Sequence, residues 1–227
     1  MKSLIIGKGD IGKALYGILK KEHETYIQDK EMEQEGEFDI IHVCFPYSEC
    51  FVGDVLNYQD IYRARYVVIH STVPVGTTRE CQAFHSPIIG QHPFLEKSLL
   101  TFRKYLSPKD NKLKRYFEEA GIKIMCVKKP EETEALKIFL TTCFGISCLE
   151  EKMIWNYCLE NELSYKAVYR EALENYNEGY VKLGYPNLTR PILKHNKGKI
   201  GGHCVIPNCR LLKHPLTNFL NKQNKEI

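Results

Sequence analysis

The chain has 227 residues, 43% of them hydrophobic, and its 32 lysines and arginines nearly balance 28 aspartates and glutamates for a formal charge of +4. Such length and apolar content sustain a packed core and exclude a disordered chain, while charge spread this evenly excludes a dedicated nucleic-acid binder. No apolar run approaches a bilayer span, and Met1-Lys2 leads straight into a strand-like segment rather than a signal peptide. With nine cysteines, an odd number, the expectation is reduced thiols in a cytoplasmic, non-membrane protein.

Ser3-Leu4-Ile5-Ile6 reads as a strand ending at a glycine, and Ile11, Ala14, Leu15, Ile18 and Leu19 then fall on one helical face. Thr25 to Gln28 reads as a second strand. The acidic stretch from Asp29 to Glu37 is too short for a helix plus another strand, so the first half of the sheet is expected to be abbreviated. Asp39 to Phe45 and Tyr66 to His70 are near-continuous apolar strands of the kind buried on both faces of a parallel sheet, with a helix between them over 48–63. Lys112 to Ala120 reads as helix and Ile122 to Val127 as strand, closing a doubly wound α/β domain over 1–129.

Pro130-Glu131-Glu132 is a helix start, with an early proline and acids at the positive end of the dipole. The segment 130–183 carries no strand punctuation and is expected to be all-α. From Gly184 onward glycine, proline, asparagine and lysine dominate, so 184–227 is expected to be largely loop with a polar tail.

Gly7-Lys8-Gly9-Asp10-Ile11-Gly12 is G-x-G-x-x-G at a strand-to-helix turn. The first glycine permits the turn, the second lets backbone approach a pyrophosphate, and the third lets helix pack on strand. This is the pattern of an abbreviated Rossmann sheet that binds a dinucleotide. Asp29, at the end of the second strand, suits the adenosine ribose hydroxyls and repels a 2′-phosphate, which favours NAD, while the adjacent Lys30 keeps NADP as the lesser alternative. Asp10 places a carboxylate beside the pyrophosphate position, which is unfavourable unless Lys8 or Lys13 offsets it.

Ile69-His70-Ser71-Thr72-Val73-Pro74-Val75-Gly76-Thr77-Thr78 resembles the S-T-V-P-x-G-T-T signature of UDP-glucose and GDP-mannose dehydrogenases, and Ile200-Gly201-Gly202-His203-Cys204 is similar to their G-G-H-C or G-G-S-C loop. Between them, Glu134-Ala135-Leu136-Lys137 resembles the helix start that presents the family's lysine. The resemblance implies a 6-phosphogluconate dehydrogenase-like fold in a truncated form without the C-terminal UDP-binding domain. It also implies an NAD-dependent oxidation of a sugar or nucleotide-sugar alcohol, in which a thiol captures an aldehyde on the way to a carboxylate. Cys204 would be the nucleophile, Lys137 the stabiliser of the oxyanion, and Thr72 a neighbour of the nicotinamide and the catalytic water. Phe45, Pro46 and Ser71 join Gly7, Gly9, Asp10, Ile11, Gly12, Asp29 and Thr72 in the expected dinucleotide site.

Three positions depart from the family pattern. Ile88 stands where its S-P-E segment has glutamate, Thr141 where an asparagine follows the lysine by one turn, and Asn208 where an aspartate follows the cysteine. Two alternatives therefore stay open: a catalytically impaired dinucleotide-binding protein, and a single-hydride dehydrogenase of a small hydroxy acid for which Cys204 is dispensable. His85 and His92 read as surface-loop histidines, with general acid–base work as the alternative. His203, Cys204, Cys209 and His214 lack common zinc spacing, so no metal is expected. Phe139, Phe144, Trp155, Tyr157, Tyr165 and Tyr169 read as core or as the interface of a homodimer formed through the helical segment.

Overall fold

In the computed structural model, which describes residues 1–29 and 34–227, the chain forms two compact units, Met1–Ile138 and Phe139–Ile227. Lys30 lies outside the described residues. In the first unit, Ser3–Ile6 (β1), Thr25–Gln28 (β2), Ile40–Val43 (β3), Tyr66–Ile69 (β4) and Phe84–His85 (β5) make one parallel sheet in the order β2-β1-β3-β4-β5. Asp10–Leu19 (α1), Phe51–Tyr62 (α2), Thr77–Glu80 (α3), Leu95–Thr101 (α4) and Asn111–Glu119 (α5) are its helices. Lys104–Leu106 (β6) and Ile124–Cys126 (β7) pair in parallel as a second, two-stranded sheet.

Side chains alternate across the pleat and are covered on both faces, as parallel strands require. Leu4, Ile6, Ile41, Val43, Val67 and Ile69 pack with Phe51, Val55 and Tyr62 of α2. On the other face Ile5, Ile40 and Val68 pack with Leu15 and Ile18 of α1 and with Leu113 and Phe117 of α5. The chain leaves β1 toward β2 on one side and returns to place β3 on the other, so the topological switch point lies between β1 and β3.

Helix α6 (Pro130–Glu160) starts at the expected proline, yet the first unit extends to Ile138 because Thr133, Glu134 and Ile138 are fully buried there. In the second unit a π-helical turn, Lys166–Glu171, leads into α7 (Ala172–Lys182), and α8 (Val205–Cys209) and α9 (Pro215–Glu226) follow. The expected polar tail is thus corrected to a helix. Proline occupies the first position of α9, Leu216 N–H donates to His214 Nδ1 at 3.2 Å, and His214 N–H donates to Thr217 Oγ1 at 3.2 Å. Leu220 of α9 packs with Leu149, Val205 and Cys209, and Gly145 leaves the room, since a Cβ there would lie 2.5 Å from both Leu220 and Val205.

Gly7 has φ +112°, and a Cβ on it would lie 2.9 Å from the Cys44 carbonyl carbon. A Cβ on Gly12 would lie 1.9 Å from Gly7 O, whereas one on Gly9 would meet nothing within 4 Å. Gly12→Ala is therefore expected to cost at least about 2 kcal/mol of stability by overpacking, and Gly9→Ala to cost nothing measurable. Urea unfolding of both variants checks this contrast, and equal midpoints would contradict the packing described.

Candidate dinucleotide-binding site

Every loop that carries an expected cofactor residue in the first unit leaves the carboxyl end of a strand. Backbone bonds continue the ladder beyond the strands: Gly7 N–H to Gln28 O at 2.9 Å, Cys44 N–H to Ile6 O at 2.8 Å, His70 N–H to Val43 O at 2.9 Å, and Ser86 N–H to Ile69 O at 2.8 Å. Gly7, Asp29, Phe45-Pro46 and Ser71-Thr72 are thereby aligned along one sheet edge, across the switch point where open α/β sheets take ligands.

Gly9 caps α1 with no side-chain hydrogen bond, and the space beside it is open. Uncapped N–H groups at a helix start together with an unfilled Cβ position form a cradle that fits a pyrophosphate. Asp10 is exposed, Ile11 is half-buried, and Asp29 is exposed directly after β2. The Phe45 side chain is not available to a ligand: it is buried against Phe51 and Tyr58, so this residue offers only its backbone. Ser71 Oγ donates to Phe45 O at 2.5 Å, which ties the ends of β3 and β4 together.

Asp10 is paired in a way the local sequence does not reveal. His92 Nδ1 lies 3.2 Å from Asp10 Oδ2, and both line a cleft of about 550 Å³ with Lys13, Phe94, Glu96 and Lys97.

The start of α6 is bonded to the loops after β4 and β5. Glu134 accepts from Gly76 N–H at 2.6 Å and from Thr78 N–H at 2.7 Å, anchoring the loop where Gly76 adopts φ +105°. Lys137 Nζ donates to Ile88 O at 2.7 Å.

His85 is not a surface histidine. It is fully buried, with Nδ1 2.8 Å from Thr133 Oγ1 and Nε2 3.2 Å from Ser71 O, because α6 covers the end of β5. Two more buried histidines, His42 and His70, lie side by side, with His42 Nδ1 3.0 Å from His70 Nε2. His70 Nδ1 lies 2.8 Å from Ser86 O, an acceptor only, so that nitrogen carries the proton and neutral His70 accepts from His42 at Nε2. His42 Nε2 is 3.1 Å from Tyr116 Oη, which bonds Ser3 Oγ at 2.9 Å. Lys104, also buried, donates to Ser86 O and, at 3.1 Å, to Pro87 O.

Burial, helped by the Lys104 charge, lowers the His42 imidazole to about 3, and burial holds His70 well below the usual range. Burial likewise takes His85 down to about 3 against the opposing hydrogen bond to Ser71, and it pushes the Cys44 thiol up to about 12. Lys104 is driven well below the ordinary lysine value by burial.

In the second unit Cys204 is exposed at the start of α8. Asn208 Nδ2 donates to Thr141 Oγ1 at 3.4 Å. Cys209 is buried, its Sγ 3.3 Å from Thr142 Oγ1, and burial raises its thiol. Among the described residues no group of three or more His, Cys, Asp or Glu side chains converges on a metal position.

The segment ahead of the Gly201-Gly202-His203-Cys204 loop is held by contacts that sequence reasoning missed. His195 stacks on Trp155 at 3.8 Å and bonds Glu151 at 2.9 Å, and Lys152 donates to Asn196 O and Gly198 O. Tyr169 is core, Phe139, Trp155 and Tyr165 are partly buried, and Phe144 and Tyr157 are exposed. No helix among the described residues is long and apolar enough to cross a membrane.

No protein-family model and no curated protein matches the sequence. Solved structures match in fold. A UDP-D-ManNAc dehydrogenase from Pyrococcus horikoshii superposes with a TM-score of 0.72 at 13% identity, over 100% of this chain and 68% of that one. A 3-hydroxyisobutyrate dehydrogenase from Mycobacterium tuberculosis gives 0.68 at 14% identity, over 100% and 93%. Psf3 in complex with NADP+ gives 0.58 at 14% identity, over 99% and 93%. The shared fold is a parallel α/β sheet with a helical C-terminal part, of the 6-phosphogluconate dehydrogenase-like kind.

The buried histidines set an acid limit. An unfolded chain protonates histidine near 6.5, whereas folded His42 and His85 stay neutral down to about 3. Between those values the unfolded state binds more protons, so stability is full above about pH 6.5 and is lost as pH falls, by about 2 kcal/mol for each of the two by pH 5. Urea midpoints at pH 7.5, 6 and 5 measure this while carboxylates stay ionised; a midpoint unchanged at pH 5 would contradict neutral burial.

Proposed function

We propose that the chain is an NAD-dependent oxidoreductase that oxidises an alcohol on a sugar or nucleotide-sugar. The observation that carries this reading is the open Gly9 cradle at the uncapped start of α1, beside the switch point of a parallel sheet. Backbone N–H groups of Asp10 and Ile11 would hold the pyrophosphate, and Gly7 and Gly12 the turn beneath it. Asp29 would take the adenosine ribose hydroxyls, which favours NAD over NADP. Backbone of Phe45 and Pro46 and the side chains of Ser71 and Thr72 would complete the cofactor site. When bound, the nicotinamide supplies a hydride acceptor.

The chain's own groups do the rest. The Lys137 ammonium, oriented by Ile88 O, stabilises negative charge on the substrate oxygen, and Thr72 positions water. The Cys204 thiol adds to an aldehyde: sulfur bonds carbon, the carbonyl electron pair moves to oxygen, and oxygen takes the proton, giving a thiohemiacetal. Thr141 and Asn208, bonded to each other, supply neutral hydrogen-bonding groups where the resembling family uses asparagine and aspartate.

A second reading rests on the likeness in fold to a 3-hydroxyisobutyrate dehydrogenase beside that to a UDP-D-ManNAc dehydrogenase. A single-hydride dehydrogenase of a small hydroxy acid would need Lys137 and not Cys204.

Calorimetric titration of NAD and NADH comes first, with Gly9→Ala expected to weaken binding at least about tenfold, or about 1.4 kcal/mol. Screening nucleotide-sugars and hydroxy acids with wild type, Cys204→Ala and Lys137→Ala then separates the readings. Two NADH per substrate, lost in Cys204→Ala, selects the thiol route, and turnover that survives Cys204→Ala selects the single-hydride route. Absence of dinucleotide binding at millimolar concentration would sink both.

We further infer that two copies pair through the helical unit. Helix α7 has no buried residue, and Val181, Leu183, Tyr185 and Leu188 are 55%, 70%, 56% and 44% exposed. Sedimentation should give a dimer that Val181→Asp with Leu183→Asp dissociates, and a wild-type monomer at high concentration would contradict the pairing.

A further inference from the structure

We propose that His92 is a positioning residue of the dinucleotide site, which makes the Asp10 carboxylate compatible with a bound pyrophosphate. This deepens the dinucleotide reading and rests on it. Asp10 occupies the first position of α1, directly after Gly9. A carboxylate there is favourable in the free protein, because it meets the positive end of the helix dipole. It is unfavourable once a pyrophosphate approaches the same N–H groups, unless a donor or cation takes up its charge.

The structure supplies that partner from a distant segment. His92 Nδ1 stands 3.2 Å from Asp10 Oδ2. The turn that presents it is built rather than loose: Phe94 N–H donates to Gln91 O at 2.8 Å, Ser98 Oγ donates to Phe94 O at 2.8 Å, and Gly90 sits so close to Ser98 that a Cβ would lie 2.5 Å from its Cβ. Helix α4, which follows the turn, is set against α1 where Glu96 abuts Gly17. Both members of the pair are thus placed by backbone that is fixed independently of them.

Lys13, Glu96 and Lys97 line the same cleft, and His92 is the residue whose ring nitrogen lies against Asp10 Oδ2. A ring N–H donated there takes up part of the carboxylate's charge.

Calorimetric titration of ADP-ribose and NADH into the full chain tests this with His92→Gln, His92→Lys, Asp10→Asn and the double variant Asp10→Asn with His92→Gln. His92→Gln is expected to weaken both ligands about two- to fivefold, the size of a charge effect at a helix terminus. His92→Lys should restore wild-type affinity, and the loss from His92→Gln should vanish in the Asp10→Asn background. A merely structural role would not give rescue by lysine or dependence on Asp10, and thermal unfolding curves are expected to be unchanged by the exposed His92 substitutions. Undiminished affinity in His92→Gln, no rescue by lysine, or an equal loss in the Asp10→Asn background would overturn the assignment while leaving the dinucleotide reading intact. Failure of the wild type to bind ADP-ribose or NADH at millimolar concentration would overturn both.

Discussion

The contact between Gly12 and the Gly7 carbonyl is the constraint on which the site depends. It brings α1 onto β1 more closely than any side chain would allow, since a Cβ on Gly12 would stand 1.9 Å from that oxygen. The start of the helix is therefore held at the carboxyl edge of the sheet, beside the point where strand order reverses. Gly7 and Gly12 are used up by the chain's own packing. Gly9 alone of the three keeps open space beside it, which is what a ligand approaching backbone requires.

A second layer of order lies beneath that edge. Serine, tyrosine and histidine side chains from β1, α5, β3 and the residue after β4 form a continuous buried chain that ends on Ser86 O. Burying so many polar groups is tolerable because the chain is nearly closed, each ring nitrogen having a partner. Its consequence reaches the surface. Ser86 O and Pro87 O are held by His70 and Lys104, and the next carbonyl, Ile88 O, accepts from Lys137. The turn that orients the helix-borne lysine is therefore fixed from inside the sheet rather than by a carboxylate.

Much of this was legible in the sequence where one local signal dominates. Near-continuous apolar strands, the glycine turn and the Pro130-Glu131-Glu132 helix start are decided by neighbours in the chain, and β1 to β4, α1 and α6 appear where the pattern places them. Features decided by distant contacts were not legible. His85 looks like a loop residue until Thr133 of α6 covers it, and Asp10 meets His92 from a distant segment of the sequence. Phe45 follows an apolar strand without revealing that its ring turns into the core. Helix α9 was hidden because its composition is polar, and a cap plus a few buried positions such as Thr217 and Leu220 stabilise it.

The central claim is that the glycine loop and the strand ends receive a dinucleotide. Backbone amide NMR on the labelled chain during titration with ADP-ribose tests it most directly. Large, saturable shifts are expected at Gly9, Asp10 and Ile11 and at Ser71, with the buried Gly12 little moved. Shifts absent at saturating ligand, or confined to residues away from the carboxyl edge of the sheet, would contradict it.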